Sequence, residues 1–231
     1  MPTMSAKSKS SKPAAKRYDQ YCAVARSLDV LGERWTLLVV RDLLMGPRRY
    51  TDLREALPGI ATDLLTARLR TLEEAGYVQR RKLPRPAPVT VYELTPSGRR
   101  IGLVVLELAR LGLEHLGQPG ADDDIDTDAL VLSLRASYRP ASGTDPASYQ
   151  LEVEGEPFSV TVGDGSAQTA RGQAEEPRCT IRAGARALAQ LLSGATEADQ
   201  AIAGGELQLT GPRSELDRFI DTFAYPTARQ A

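Results

Sequence analysis

The sequence predicts an α+β protein of two domains, the first made of helices closed by a two-stranded hairpin and the second a sheet covered by helices. Three observations carry that reading. A length of 231 residues suits two ordinary domains, each with its own core. Apolar residues recur at helical spacing through residues 24–72, give way to two short strand-like runs around the proline-rich stretch 84–88, and regain helical spacing after Pro96. Beyond an acidic, glycine-broken stretch, alternating strands mix with shorter helical runs up to residue 223.

The opening helix follows from Val24, Leu28 and Leu31, and Gly32 stops it. A second helix carries Trp35, Leu38, Val39 and Leu43 until Gly46-Pro47, where proline cannot continue the hydrogen-bond ladder. A third places Tyr50, Leu53 and Leu57 on one face, and Pro58-Gly59 turns the chain. In the fourth, Leu65, Leu69 and Leu72 form a buried stripe, while Asp63, Ala67, Arg70 and Glu74 point the other way with Thr62, Thr66 and Arg68 on the flanks. Residues 77–83 and 89–94 read as strands joined by the stiff tip Pro84-Arg85-Pro86-Ala87-Pro88.

Two helices joined by a tight turn, the second polar outward, are what a helix-turn-helix needs to fill a major groove, and the hairpin is then a wing. Charge agrees with that reading. Residues 1–117 hold 20 Lys+Arg against 12 Asp+Glu, and residues 118–231 hold 9 against 18, so only the first half suits a polyanion. We therefore expect double-stranded DNA as the partner. Arg48 and Arg49 are expected at phosphates beside the groove, Thr62, Asp63, Thr66, Ala67 and Arg70 on the reading face, and Arg80, Arg81, Lys82 and Arg85 on the flanking backbone.

Thr95 reads as an N-cap with Pro96 at the first helical position of a long helix to about residue 116. Ile101, Val104, Val105, Leu108 and Leu111 exceed what one packing face needs, which predicts a homodimer interface. The run of aspartates at 122–128 is a linker and helix cap; a calcium loop would need glycine and glutamate where Thr127 and Ser133 stand. A helix over 129–138, strands around 149–153, 158–162, 168–170 and 178–183, helices ending at Gly194 and Ala203, a strand over 206–210 and a last helix through Phe223 complete the second domain.

Residues 31–38, 46–53, 65–76 and 92–98 (Leu-Gly-Glu-Arg-Trp-Thr-Leu-Leu, Gly-Pro-Arg-Arg-Tyr-Thr-Asp-Leu, Leu-Thr-Ala-Arg-Leu-Arg-Thr-Leu-Glu-Glu-Ala-Gly and Tyr-Glu-Leu-Thr-Pro-Ser-Gly) resemble the HxlR-type family of bacterial regulators, relatives of the MarR group. The resemblance spans about residues 18–116 and implies a homodimer, a reading helix from about Thr62 to Ala75 and a basic wing. Two positions depart from the family pattern: Ala61 replaces the usual Ser or Pro before the reading helix, and Ala23 follows Cys22 where Pro is common. Alanine cannot cap, so the helix start depends on whether Thr62 takes over. The resemblance makes Cys22 a candidate redox site, although free cysteine is more often a buried structural residue.

The second half, with Ala201-Ile202-Ala203-Gly204-Gly205-Glu206-Leu207-Gln208-Leu209-Thr210-Gly211-Pro212, resembles the sterol-carrier-protein type of domain over about residues 128–224. That likeness implies an apolar small-molecule effector in a tunnel, with Phe158, Val160, Ile181, Leu188, Leu192, Ile202, Leu207, Phe219 and Phe223 as candidate walls, each of which is equally a candidate core residue. The expected organisation is a disordered basic tail over 1–17, a DNA-binding and dimerisation domain over 18–117, an acidic linker over 118–127, the sterol-carrier-like domain over 128–224 and a tail over 225–231.

An enzyme is not expected: His115 is the only histidine, and no carboxylate pair, nucleophile motif or phosphate-binding glycine loop occurs. No metal site or cofactor is expected either, since Cys22 and Cys179 lack ligand spacing. Without a long apolar run or a signal peptide, the expected location is the cytoplasm, with no membrane partner. The competing class is a lipid carrier or interaction protein in which the helix-turn-helix domain is scaffold; it predicts no steep dependence of DNA affinity on salt.

Overall fold

The computed structural model describes residues 17–84, 88–139 and 145–226, so most of the basic tail and the tip cation Arg85 lie outside the described residues. Helix α1 (Ala23–Leu31) ends at Gly32, but Val24 and Leu28 of its apolar stripe face outward and only Ala25 is buried. Helix α2 (Thr36–Leu44) begins after Trp35 rather than including it. The sharp turn between the two helices puts Trp35 at φ 79°, a left-handed conformation that strains a bulky residue. Packing of the indole on the core and the Arg34 guanidinium 5.1 Å from its ring hold it there.

Helices α3 (Tyr50–Glu55) and α4 (Thr62–Glu74) follow, and Leu57 is buried from the turn between them. Strand β1 (Val78–Lys82) pairs antiparallel with β2 (Thr90–Leu94), setting Arg80 opposite Tyr92. A third member joins this wing at its base: Arg48 exchanges both backbone hydrogen bonds with Tyr92. Thr95 caps α5 (Pro96–Leu113), accepting from the Gly98 N–H at 3.1 Å and donating to the Gly76 carbonyl at 2.7 Å. Gly98 lies so close to the wing that a Cβ there would stand 2.0 Å from the Tyr77 carbonyl oxygen.

Leu65, Leu69 and Leu72 of α4 meet Val39, Val40 and Leu43 of α2 and Leu53 in one core. Ile101 and Val105 belong to it too, which corrects their assignment to a dimer interface: they point inward on α5 because the stripe facing α2 is where the domain closes. Leu103, Val104, Leu108 and Leu111 lie on the outer side of the same helix and are exposed.

Asp126 caps α6 (Thr127–Ser137), its carboxylate accepting from the Ala129 N–H at 2.7 Å, so this helix starts two residues earlier than expected. The sheet comprises β3 (Ala147–Val153), β4 (Glu156–Gly163), β5 (Ser166–Arg171), β6 (Thr180–Ala183) and β7 (Leu207–Thr210) in the order β5-β4-β3-β6-β7. All neighbours are antiparallel except β3 and β6. Helices α7 (Ala185–Ser193) and α8 (Ala198–Ala203) connect β6 to β7, and α9 (Arg213–Phe223) follows.

The residues expected to wall a tunnel form closed core instead. Phe158, Val160, Ile181, Leu188, Leu192, Leu207, Phe219 and Phe223 are all at most 1% exposed, and Ile202 packs against them from the side. These side chains pack on one another: Tyr149 meets Phe219 edge-on at 5.3 Å, and Phe219 meets Phe223 at 4.8 Å. The two domains are not separate bodies on a string, because Met45, Leu106 and Leu113 of the first join the second domain's core.

Candidate nucleic-acid interface

Helix α4 is held by side chains around it. Arg68 donates from Nε to the Arg34 carbonyl at 3.0 Å and pairs with Glu33 at 2.9 Å, tying α4 to the turn before α2. Tyr50 donates its hydroxyl to the Thr62 carbonyl at 2.9 Å and lies 3.3 Å from the Thr66 hydroxyl, fixing the start of α4 against α3. Periodicity alone gave neither contact; it reads Tyr50 as apolar and Arg68 as a flank. The aromatic hydroxyl opposite a helix start was the available signal.

The helix begins at Thr62, with Ala61 as N-cap and no side chain capping it. Thr62, Asp63, Thr66, Ala67 and Arg70 are all exposed along one face. The Thr66 hydroxyl turns back to the Thr62 carbonyl at 3.0 Å, which leaves its methyl group as the part of the side chain without a polar partner. Arg70 forms an exposed pair with Glu74 at 2.7 Å.

The neighbouring cations differ in how free they are. Arg49 and Lys82 are exposed. Arg80 pairs with Glu73 at 2.7 Å and stacks 5.3 Å from the Tyr92 ring, and Arg81 pairs with Glu93 at 2.8 Å. The Glu73 hydrogen bond raises the Arg80 pKa, and bonds from Gln79 and Arg81 lower that of Glu93. Exposed pairs of this kind are worth less than about 1 kcal/mol, so a phosphate can take the carboxylate's place.

Arg48 is the exception, and its expected phosphate role is corrected. Its guanidinium, 17% exposed, is ion-paired with Asp128, whose side chain is 2% exposed at the start of α6. Arg171 of β5 reaches the other oxygen of Asp128 at 2.7 Å. Backbone pairing with Tyr92 aims Arg48 this way, so the base of the wing is fastened to the second domain. Spacing could not reveal this contact, which joins residues 80 positions apart.

Cys22, read from its residue type as a buried structural thiol, is exposed between Tyr21 and Val24. The wing cation Arg85 lies outside the described residues. Among the described residues no group of His, Cys, Asp and Glu could hold a metal ion, and no helix is long and apolar enough to cross a membrane.

Comparison with known proteins agrees with this architecture. The HxlR-like helix-turn-helix family matches residues 30–119, and the SCP-2 sterol transfer family matches residues 135–223. An HTH-type transcriptional regulator of Synechocystis sp. is 39% identical over 101 residues, which is 44% of this chain and 75% of that protein. One from Mycobacterium bovis is 37% identical over 97 residues, 42% of this chain and 61% of the relative. A solved MarR-family regulator from Porphyromonas gingivalis is 31% identical, with 43% of this chain and 98% of that one covered at a TM-score of 0.40. From its sequence match over three quarters of the Synechocystis regulator, the chain belongs to the HxlR-like helix-turn-helix family of transcriptional regulators, and it carries a C-terminal domain of the SCP-2 sterol transfer type.

Proposed function

We propose that this protein is a homodimeric, sequence-specific DNA-binding regulator whose second domain senses an apolar small molecule. The observation that carries the DNA reading is the exposed polar face of α4, rigidly held by Tyr50 and Arg68 and flanked by Arg49, Arg80, Arg81 and Lys82. In this reading α4 enters the major groove and the flanking cations hold phosphates. The methyls of Thr66 and Ala67 suit thymine methyl groups, and Arg70, released from Glu74, suits the two acceptors of guanine.

Dimerisation uses the apolar surface left over from each domain. Tyr21, Val24 and Leu28 near α1, and Leu103, Val104, Leu108 and Leu111 on α5, are exposed, with Leu103 at 69% and Val24 at 66%. A face of this kind is covered by a second copy more economically than by water. Cys22 lies beside the α1 part of it, where an oxidant would couple it to the partner's thiol; a non-reducing gel of the peroxide-treated protein with Cys22→Ser as control tests that reading. A regulator acting on bacterial chromosomal DNA works in the cytoplasm.

Selection of bound genomic fragments, followed by substitution of single bases, tests the proposal. Replacing thymine by uracil opposite Thr66 and Ala67 should weaken binding about five-fold or more, by loss of roughly 1 kcal/mol of methyl contact. Arg70→Ala should change sequence preference, whereas Lys82→Ala should weaken all sequences alike. Selection of no common sequence would overturn the assignment.

A further inference from the structure

Beyond α5 the chain turns at Gly117, where φ is 69°, and crosses the outer side of the second domain before entering α6. Arg186 of α7 fastens this crossing, donating to the Gly120 carbonyl at 2.6 Å and to the Asp123 carbonyl at 2.8 Å. Beneath the strap lies a cavity of about 480 Å³, within the ~300–1,000 Å³ of small-molecule sites. It is distinct from the closed core in which a tunnel was expected. Leu116 and Ile125 wall it from the strap, with Leu130 of α6 and Ala189 of α7 opposite.

The polar atoms of this cavity share one property. Ser133 donates its hydroxyl proton to the Leu130 carbonyl at 2.6 Å, so the Tyr225 hydroxyl 2.8 Å away must donate to Ser133. Ser193 donates to the Gln190 carbonyl at 3.1 Å. All three hydroxyls have thus committed their protons and present only lone pairs to the cavity. Asp123, Asp124 and Asp126 line it too, and their carboxylates are acceptors as well, those of Asp123 and Asp126 already accepting from the Gly120 and Ala129 N–H groups. An occupant that supplies hydrogen-bond donors is matched to these groups, and a carboxylate is not, although the Arg186 guanidinium stands close by on the strap.

We propose that this cavity binds a small amphiphilic amine, its apolar body against Leu116, Ile125 and Leu130 and its ammonium group on the ring of acceptors. Fatty acids, which an apolar tunnel would accept, are disfavoured by these acceptors. Because the strap continues directly from α5, an occupant that lifts or tightens it bears on the helix proposed for dimerisation. The inference gives the sensing domain a location and a ligand class; it rests on the regulator reading only for its consequence at DNA.

Three probes with one chain and different heads test it: octylamine, octanol and octanoate, titrated calorimetrically into the full-length protein at pH 7 without DNA. The expected order is amine above alcohol above carboxylate, with octylamine at least ten-fold tighter than octanoate. Asp124→Asn, a change at an exposed residue, should reduce the preference for amine over alcohol about three-fold, and Ala129→Leu, which fills the cavity, should abolish octylamine binding. Octanoate binding as tightly as octylamine, absence of octylamine binding, or binding undiminished in Ala129→Leu would overturn the proposal. DNA binding in the absence of any probe is measured separately, so failure here leaves the reading-face proposal standing, and the converse holds.

Discussion

Replacing Asp128 by alanine removes a carboxylate that is 2% exposed and faces two guanidiniums, those of Arg48 and Arg171. Removing one partner of a buried pair costs about 3–5 kcal/mol, because the charge left behind has neither its partner nor water. Arg171 escapes most of that penalty: it is 39% exposed and keeps Glu156 at 3.1 Å. Arg48 does not, since burial and the like charge of Arg171 already lower its pKa, against which Asp126, Asp42 and Asp52 act. The lower end, about 3 kcal/mol, is therefore expected. At ~2–4 °C per kcal/mol for a chain of this size, the melting temperature should fall by about 6–12 °C.

The double variant Arg48→Met, Asp128→Leu removes both charges and should recover most of that loss, since an apolar pair of similar volume often equals a buried ion pair. Calorimetric melting of parent, single and double variants is the assay. A single variant within 1 kcal/mol of the parent, or a double variant no more stable than the single, would refute the reasoning.

Asp42, buried in α2 and bonded to Arg41 at 2.7 Å, has its carboxyl pushed up by burial to about 6 from an ordinary 3.8. A group with a raised folded pKa adds stability that is present below about pH 4 and lost as the pH climbs through about 6. The rise corresponds to about 3 kcal/mol, so Asp42→Asn should gain stability relative to the parent between those values in urea unfolding; an unchanged difference from pH 4 to pH 8 would count against it. Leu108→Glu should yield a folded monomer in sedimentation, whereas Ile101→Glu should unfold the domain, because only the first side chain is exposed. Gly98→Ala drives a Cβ to 2.0 Å from the Tyr77 carbonyl and should cost at least about 3 kcal/mol, while Gly102→Ala meets only the movable end of Leu44 and should cost less by denaturant titration.

What the sequence disclosed and what it withheld divide by the range of the interaction. Leu65, Leu69 and Leu72 fall on one side of α4 because helical period is local, and the exposed Thr62, Asp63, Thr66, Ala67 and Arg70 follow from the same period. The cap at Thr95 and the turn at Gly194 were readable for the same reason. Period does not say which of two apolar stripes on α5 meets its own domain, so Ile101 and Val105 went with Val104, Leu108 and Leu111 although they point inward. Charge counting likewise assigned Arg48 to DNA, when Asp128, distant in sequence, holds it. In the second domain, apolar residue types could not distinguish tunnel from core, and the cavity formed instead where the linker crosses α6 and α7.

The most direct test of a polar helix carried into DNA by flanking cations is the salt dependence of duplex binding. With Arg48 occupied, about three phosphates per protomer remain for Arg49, Lys82 and the releasable wing arginines. Fluorescence anisotropy with a selected duplex should give a log–log slope against salt of about −5 for a dimer, shallower in Lys82→Ala by about 2. A flat response, or no binding to duplex DNA at 50 mM salt, would contradict the account.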